Sequence, residues 1–108
     1  FVLTHHIPAG WPRPNSTVNF VTDCIESAVN QAKAAAAGKS VGVHGADTIQ
    51  QLLNAGLLDE ISVDIAAVLL GSGVRLFDRF AGTPLVLGNP TVTAGVGVTH
   101  LRYPVRKV

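Results

Sequence analysis

Hydrophobic residues recur along the chain with two different periods, and these periods predict the order of strands and helices. Short apolar runs at residues 1–4 and 18–21 are typical of strands, and the first is expected to be buried. Apolar residues then follow at helical spacing from residue 25 to residue 36. Asp23 is predicted to cap this helix, with Glu26 reaching back towards it. The first part of the chain therefore reads as two strands and a helix.

The segment 40–73 is the unit around which the rest of the sequence is organised. Residues 41–43 predict a central strand, and the turn 44–48 leads into a second helix. Residues 61–65 then alternate between apolar and polar, as expected of a half-exposed strand. Residues 66–70 are continuously apolar, which predicts that the same strand continues into a buried part.

The C-terminal third is rich in Val and Thr, which favours strands. Residues 74–80 are too few for a long helix and predict one helical turn. Residues 85–88, 91–98 and 99–105 predict three short antiparallel strands. Helices alternate with strands earlier in the chain, so we expect an α/β sheet, mostly parallel, with an antiparallel C-terminal edge.

Composition narrows the class of protein. The chain has 108 residues, of which 47% are apolar and 14% are charged, as expected of one globular domain. A net charge of +1 argues against a dedicated nucleic-acid binder. Cys24 is the single cysteine, so no disulfide can form within the chain. No apolar run reaches the roughly 18 residues of a membrane helix and no signal peptide is expected, so a cytoplasmic protein is the simplest interpretation.

The turn 44–48 is the first candidate binding site. Strand gives way to helix at Gly45, and the free N–H groups at a helix N-terminus attract phosphate. Thr48 adds a hydroxyl group. The turn contains neither a complete G-x-G-x-x-G motif nor a Walker A lysine, so a plain tight turn explains the spacing as an alternative.

Two further segments are candidates for the same ligand. Thr4, His5 and His6 follow the first strand, and ligands in open α/β sheets bind at the carboxyl ends of strands. A nucleotide phosphate, a metal ion and plain solvent exposure are all compatible with this triplet, but no third metal ligand stands at a suitable spacing. The triplet 71–73 is either a second loop over the ligand or a turn that ends the strand.

The remaining residues with chemical potential favour structural roles. Trp11 either packs against apolar neighbours or stacks on a flat ligand, and Cys24 is expected to be a small structural residue. Asp59 and Glu60 lie at the amino end of their strand, away from the expected ligand edge. His100 alternates with apolar neighbours, which favours a core or interface position. No catalytic residue and no metal site are predicted.

The run from Val43 to Asp78 resembles the C-terminal reductase domain of bacterial riboflavin-biosynthesis proteins and their dihydrofolate-reductase-like relatives. Its motifs stand here in the order expected of that family, and with further matches at both ends they cover nearly the whole chain. They are Gly45-Ala46, Leu57-Leu58-Asp59-Glu60, Val68-Leu69-Leu70-Gly71-Ser72-Gly73 and Leu76-Phe77, with residues 1–6, 20–22 and 99–103 at the two ends.

The resemblance implies a three-layer dihydrofolate-reductase-like fold, of which residues 1–108 form the C-terminal half of one domain. The family continues upstream, and an early strand would lie at the sheet centre, so these residues alone are expected to be inactive. The family also implies a homodimer that uses NADPH to reduce a small molecule such as a pyrimidine or a pterin.

The resemblance also assigns cofactor contacts. The turn of His44, Gly45, Ala46, Asp47 and Thr48 would hold the NADPH pyrophosphate. The triplet Thr4, His5 and His6 would hold the adenosine ribose and its 2′-phosphate.

Two residues depart from the family pattern. His44 stands where riboflavin-pathway reductases carry a substrate-binding glutamate, and Ala46 replaces the second glycine of a pair. The alternative is therefore a non-catalytic nucleotide-binding or dimerisation module with the same fold.

Overall fold

The computed structural model describes residues 1–81 and 84–106, which form two helices and five strands. In chain order these are β1 (Val2–Leu3), β2 (Phe20–Val21), α1 (Ile25–Ala36), α2 (Ala46–Asn54), β3 (Glu60–Ala66), β4 (Thr91–Ala94) and β5 (Val98–Pro104). Neither helix in this part of the chain is long and apolar enough to cross a membrane.

The strands form one parallel and one antiparallel sheet. β1 pairs with β2 in parallel, with Val2 opposite Phe20. β5 lies between β3 and β4, antiparallel to both, with Ile61 opposite Tyr103. The predicted α/β class, with parallel pairing first and antiparallel pairing last, is therefore confirmed. The prediction of one continuous, mostly parallel sheet is wrong. The described strands of the two sheets are not hydrogen-bonded to each other, and two of their three pairings are antiparallel.

Helix α1 begins one residue later than the sequence predicts. Cys24 is the N-cap, with an extended backbone, and its Sγ accepts a hydrogen bond from the Ser27 N–H at 3.4 Å. Asp23 precedes this position, so the prediction that it caps the helix is wrong. The C-terminal end is left-handed at Ala37 (φ 50°), and Gly38 follows with φ +88°. The glycine therefore follows the turn that ends the helix, as the spacing predicts.

The core of the described chain is small. Val21, Leu52 and Ile61 are its buried hydrophobic residues. The expectation of a buried first strand is wrong, because Phe1 and Val2 are exposed.

The apolar run 66–70 also departs from its prediction. β3 ends at Ala66, and Leu69 is 101% exposed instead of lying in a buried strand. Continuous apolar sequence predicts burial only where another layer covers it, and no described element covers this run.

Three further predictions of regular structure are wrong. Residues 41–43 do not form a strand, because no described strand is hydrogen-bonded to them. Residues 74–80 contain a turn near Asp78 but no helix. Residues 85–88 lie outside the sheet, although the Gly88 N–H donates to the Pro104 carbonyl at 2.9 Å.

The surface of the chain is large for its mass. The solvent-accessible area is 8289 Å², whereas a folded monomer of this mass exposes about 5,700 Å². The radius of gyration is 16.1 Å, compared with about 13 Å for a compact domain of this length. The exposed large apolar residues include Val2 of β1 and Val68, Leu69 and Leu70 of the run after β3.

Candidate functional site

Helix α2 begins at a glycine with an unusual backbone conformation. Gly45 is the N-cap, with φ 96° and ψ 130°, a region that residues with a Cβ rarely adopt. The Ile49 N–H donates to the Gly45 carbonyl at 3.0 Å and closes the first helical turn. The first N–H groups of a helix have no partner within it, and Gly45 has no side chain to cap them. The helix therefore presents backbone donors at residues 46–48.

The charge at this turn is balanced by a residue from a distant segment. Asp47 lies in the first turn of α2, and its Oδ2 accepts a hydrogen bond from the Gln51 Nε2 at 2.8 Å. Its Oδ1 lies 3.5 Å from the Arg79 Nη1. Both charged side chains are exposed. An anion that approached the start of α2 would therefore meet a guanidinium as well as a carboxylate.

An open groove of about 370 Å³ lies beside the turn. His44 and Thr48 line it, together with the residues of β1 and one face of α1. The lining residues are Phe1, Val2, Leu3, Ile25, Ala28, Val29, Ala32, Val41, Gly42, Val43, His44, Thr48 and Leu52. The structure thus brings the first strand and the start of α2 to one groove. Of the eight predicted cofactor residues, His44 and Thr48 line this groove.

The triplet after β1 forms a bend. The Thr4 N–H donates to the Val21 carbonyl at 3.0 Å, which continues the pairing of the parallel sheet. The Thr4 Oγ1 donates to the His6 carbonyl at 3.0 Å, and both His5 and His6 are exposed. Within residues 1–81 and 84–106, no three His, Cys, Asp or Glu side chains lie close enough to hold a metal ion. The role of the triplet in cofactor binding stays a prediction.

The acidic pair and the late histidine contact neighbouring strands. Glu60 forms an ion pair with Arg102, with its Oε1 3.1 Å from the Nε, and this joins β3 to β5. The structural interpretation of Glu60 is therefore favoured. His100 is exposed, and its Nδ1 lies 2.7 Å from the Asp64 Oδ1. A core position for His100 is wrong, because the alternation of β5 places it on the solvent side.

Trp11 is held by two neighbours. Its ring lies 5.8 Å from the Phe20 ring in an edge-on arrangement, and the Arg13 guanidinium carbon lies 4.6 Å from its centroid. The Arg13 guanidinium above the indole and the Phe20 ring beside it occupy the positions that a stacked ligand would need. Packing is therefore the better interpretation of Trp11. The triplet 71–73 is exposed and irregular, with Gly71 at φ +79°.

Helix α2 contains a buried amide side chain that the sequence pattern does not predict. Gln50 is 4% exposed, and its Nε2 donates to the Asp78 Oδ1 at 3.2 Å. Its Oε1 accepts a hydrogen bond from the Arg79 N–H. One turn later, the Asn54 Oδ1 accepts from the Ala81 N–H at 3.2 Å. The spacing of Gln50 and Asn54 is a helical i, i+4 pair, but their partners lie 27 to 29 residues away.

Comparison with known proteins places these features in a family context. A family model described as the RibD C-terminal domain matches residues 13–104. Among solved structures, the chain is similar to a crystal structure named as a riboflavin biosynthesis protein from Shewanella sp. PV-4, with 23% sequence identity and a TM-score of 0.75. The similarity covers 98% of this chain and 59% of that one, so this chain spans less than two-thirds of its length. No curated protein matches the sequence.

Proposed function

Because the chain belongs to the RibD C-terminal domain family, we propose that it is part of an NADPH-dependent reductase that acts on a pyrimidine, a pterin or a related small molecule. The family supports a reductase-like role in riboflavin biosynthesis. The observation that carries the cofactor class is the start of α2 at Gly45, which presents backbone donors beside the groove of β1. NADPH carries a diphosphate, which is the kind of group that such a helix start binds.

The residues at this turn fit a diphosphate. Gly45 places no Cβ at the mouth of the helix, and residues 46–48 offer N–H groups without a side-chain cap. Thr48 lies at the edge of the groove and adds a hydroxyl donor. Asp47 would repel an anion, but Arg79 lies beside it and offsets its charge. These residues bind and orient the diphosphate in the proposed site.

The segment after β1 is proposed to hold the other end of the cofactor. Thr4 fixes a bend through its bond to the His6 carbonyl, and the imidazoles of His5 and His6 are exposed at that bend. Exposed imidazoles can donate hydrogen bonds to ribose and phosphate oxygens. NADPH, when bound, supplies the hydride. The chain itself orients the cofactor and balances its charge.

The proposal includes a dihydrofolate-reductase-like layering that extends beyond these residues. The chain exposes about 2,600 Å² more surface than a compact monomer of its mass, and the exposed residues include the apolar run after β3. Further polypeptide, packed between the two sheets, would cover this area and complete the substrate pocket. The similar structure from Shewanella sp. PV-4 is long enough to contain such additional elements. We include a homodimer in the same proposal.

The test is a titration of the full-length protein with NADPH, followed by fluorescence or calorimetry. We expect saturable binding, and Gly45→Ala to weaken it about tenfold or more, because a Cβ strains this backbone by roughly 1–3 kcal/mol and displaces the turn. Gly97→Ala is the matched control. Gly97 lies between β4 and β5 and has φ +71°, and a Cβ at this position would meet the same open space as one at Gly45. This variant should lower stability without changing NADPH affinity.

Two results would contradict the proposal. A wild-type protein that binds no NADPH and oxidises none with pyrimidine or pterin substrates would point to the dimerisation module. Equal affinities of the two glycine variants would mean that the Gly45 turn does not hold the cofactor. Urea denaturation of each variant separates a loss of binding from a loss of folding.

A further inference from the structure

One side of α2 holds an irregular segment, residues 78–81, against the helix. Asp47, Gln50 and Asn54 lie three to four residues apart, so they share one side of the helix. Each contacts the segment: Asp47 through the Arg79 guanidinium, Gln50 through Asp78 and the Arg79 N–H, and Asn54 through the Ala81 N–H. The segment has no helix or strand of its own, so these side chains define its position.

Gln50 is the buried member of this set. Both ends of its amide are used, one as a donor to Asp78 and the other as an acceptor from Arg79. A buried amide with both ends bonded has one favourable orientation, because any rotation would leave a polar group without a partner. No buried side-chain nitrogen or oxygen in the described residues lacks a hydrogen bond. Gln50 therefore fixes the backbone of Arg79.

Arg79 carries this constraint back to the start of the helix. Its backbone is held by Gln50, and its guanidinium lies 3.5 Å from Asp47 in the first turn of α2. The ion pair is exposed, so its own strength is small and it depends on how well Arg79 is placed. If Gln50 releases the Arg79 backbone, Asp47 loses its counter-charge. The first turn then carries an unbalanced negative charge towards any anionic ligand.

We propose that Gln50 is a positioning residue for the cofactor turn: by holding Arg79 it keeps Asp47 neutralised and the donors of residues 46–48 in place. This inference rests on the proposed function, because it assumes that the diphosphate of NADPH binds at that turn. The Gln50 side chain does not line the groove, and it acts on the turn through Arg79.

The test exchanges the polar groups of the pair in the full-length protein. Gln50→Met keeps the side-chain length and removes both hydrogen bonds. Gln50→Glu places a carboxylate against Asp78 with no donor between them. The double variant Gln50→Glu/Asp78→Asn lets the amide and the carboxylate change places, so that a donor faces an acceptor again. Gln31→Met, on the exposed side of α1, is the matched control for the glutamine-to-methionine change.

We expect Gln50→Met and Gln50→Glu to raise the Kd for NADPH about threefold to tenfold, where tenfold corresponds to about 1.4 kcal/mol. The double variant should return the Kd to within about twofold of the wild-type value. Gln31→Met should leave it unchanged. A fall in the free energy of unfolding of Gln50→Met with an unchanged Kd would overturn the proposal, because Gln50 would then be a structural residue alone. Failure of the double variant to restore binding, although its free energy of unfolding matches that of the wild type, would overturn it as well.

A separate measurement keeps this inference distinct from the proposed function. Amide hydrogen exchange in the ligand-free protein reports on the turn directly. We expect faster exchange at Ile49, whose N–H closes the first turn on the Gly45 carbonyl, as well as at residues 78–81 in Gln50→Met, and a return to wild-type rates in the double variant. Faster exchange confined to 78–81 would overturn the positioning role. A wild-type protein that does not bind NADPH refutes the proposed function, while the exchange pattern still decides whether Gln50 positions the turn.

Discussion

Ile65 offers the sharpest test of whether further polypeptide covers the exposed side of β3. Side chains alternate along a strand, so Ile61, Val63 and Ile65 share one face of β3. Ile61 is 8% exposed, whereas Ile65 on the same face is 55% exposed. The same apolar face is thus covered at one end and open at the other. The stability of Ile65→Ala in the full-length protein measures whether this face is covered or open at Ile65.

The expected magnitude follows from the exposure. Fully burying an isoleucine side chain contributes roughly 1.5–3 kcal/mol, so a side chain that stays half-exposed should lose about 1 kcal/mol or less on truncation. Truncation of a buried isoleucine costs about 2–5 kcal/mol, because a cavity is added to the lost transfer energy. We expect Ile65→Ala to cost about 2–4 kcal/mol in the full-length protein, close to the cost of Ile61→Ala.

The assay is urea denaturation followed by circular dichroism, with the free energy of unfolding extrapolated to water. Val92→Ala is the control, because Val92 is 60% exposed and lies on the edge strand β4, away from the run after β3. It should cost less than about 0.5 kcal/mol. If Ile65→Ala costs no more than Val92→Ala, the face of β3 is open in the full-length protein and the proposed layering is wrong.

Two further predictions concern the helices. Leu52→Ala should lower the free energy of unfolding by about 2–5 kcal/mol, because the Leu52 side chain of α2 is 3% exposed; a loss below about 1 kcal/mol in urea denaturation would mean that α2 is not packed there. Cys24→Ser should raise stability by about 0.5–1 kcal/mol, because a hydroxyl oxygen accepts the Ser27 N–H better than a thiol sulfur does. Thermal melts check this, and an unchanged or lower melting temperature would contradict the capping role of residue 24.

The helices could be predicted from the sequence because their evidence is local. Residues 25–36 place apolar side chains at helical spacing and end near Gly38, and α1 forms there. The antiparallel pairing of β4 with β5 follows from runs of Val and Thr that lie close together in the chain. The N-cap of α1 lies one residue later than the pattern predicts, because Asp23 is a common capping residue type but Cys24 occupies the position.

The errors concern burial and pairing, which depend on other parts of the molecule. Residues 41–43 and 66–70 are apolar enough for buried strands, but a strand also needs a hydrogen-bonded neighbour and a covering layer. Neither partner is found among the described residues. The apolar pattern therefore identifies segments that are suited to burial. The structure shows which of these segments stay exposed among the described residues.

The candidate site was predictable only in part, for a similar reason. The glycine at position 45 marks the helix start, so the turn could be located from the sequence. The contacts of Gln50 with Asp78 and Arg79 could not be predicted. These two residues lie 28 and 29 positions after Gln50, in an irregular segment that has no periodic pattern. Family resemblance supplied the cofactor hypothesis, and the structure added the residue that balances the charge of Asp47.

The position of β3 at the edge of its sheet affects the risk that the protein aggregates while it folds. One side of this strand pairs with β5, and its other side has no strand partner among the described residues. An unpaired strand edge followed by an exposed apolar run is a template on which other chains can add strands and aggregate. A segment that pairs with the edge of β3 must therefore dock there before a second copy of the chain adds a strand. Substitutions that slow that docking should therefore reduce the yield of soluble protein before they reduce activity.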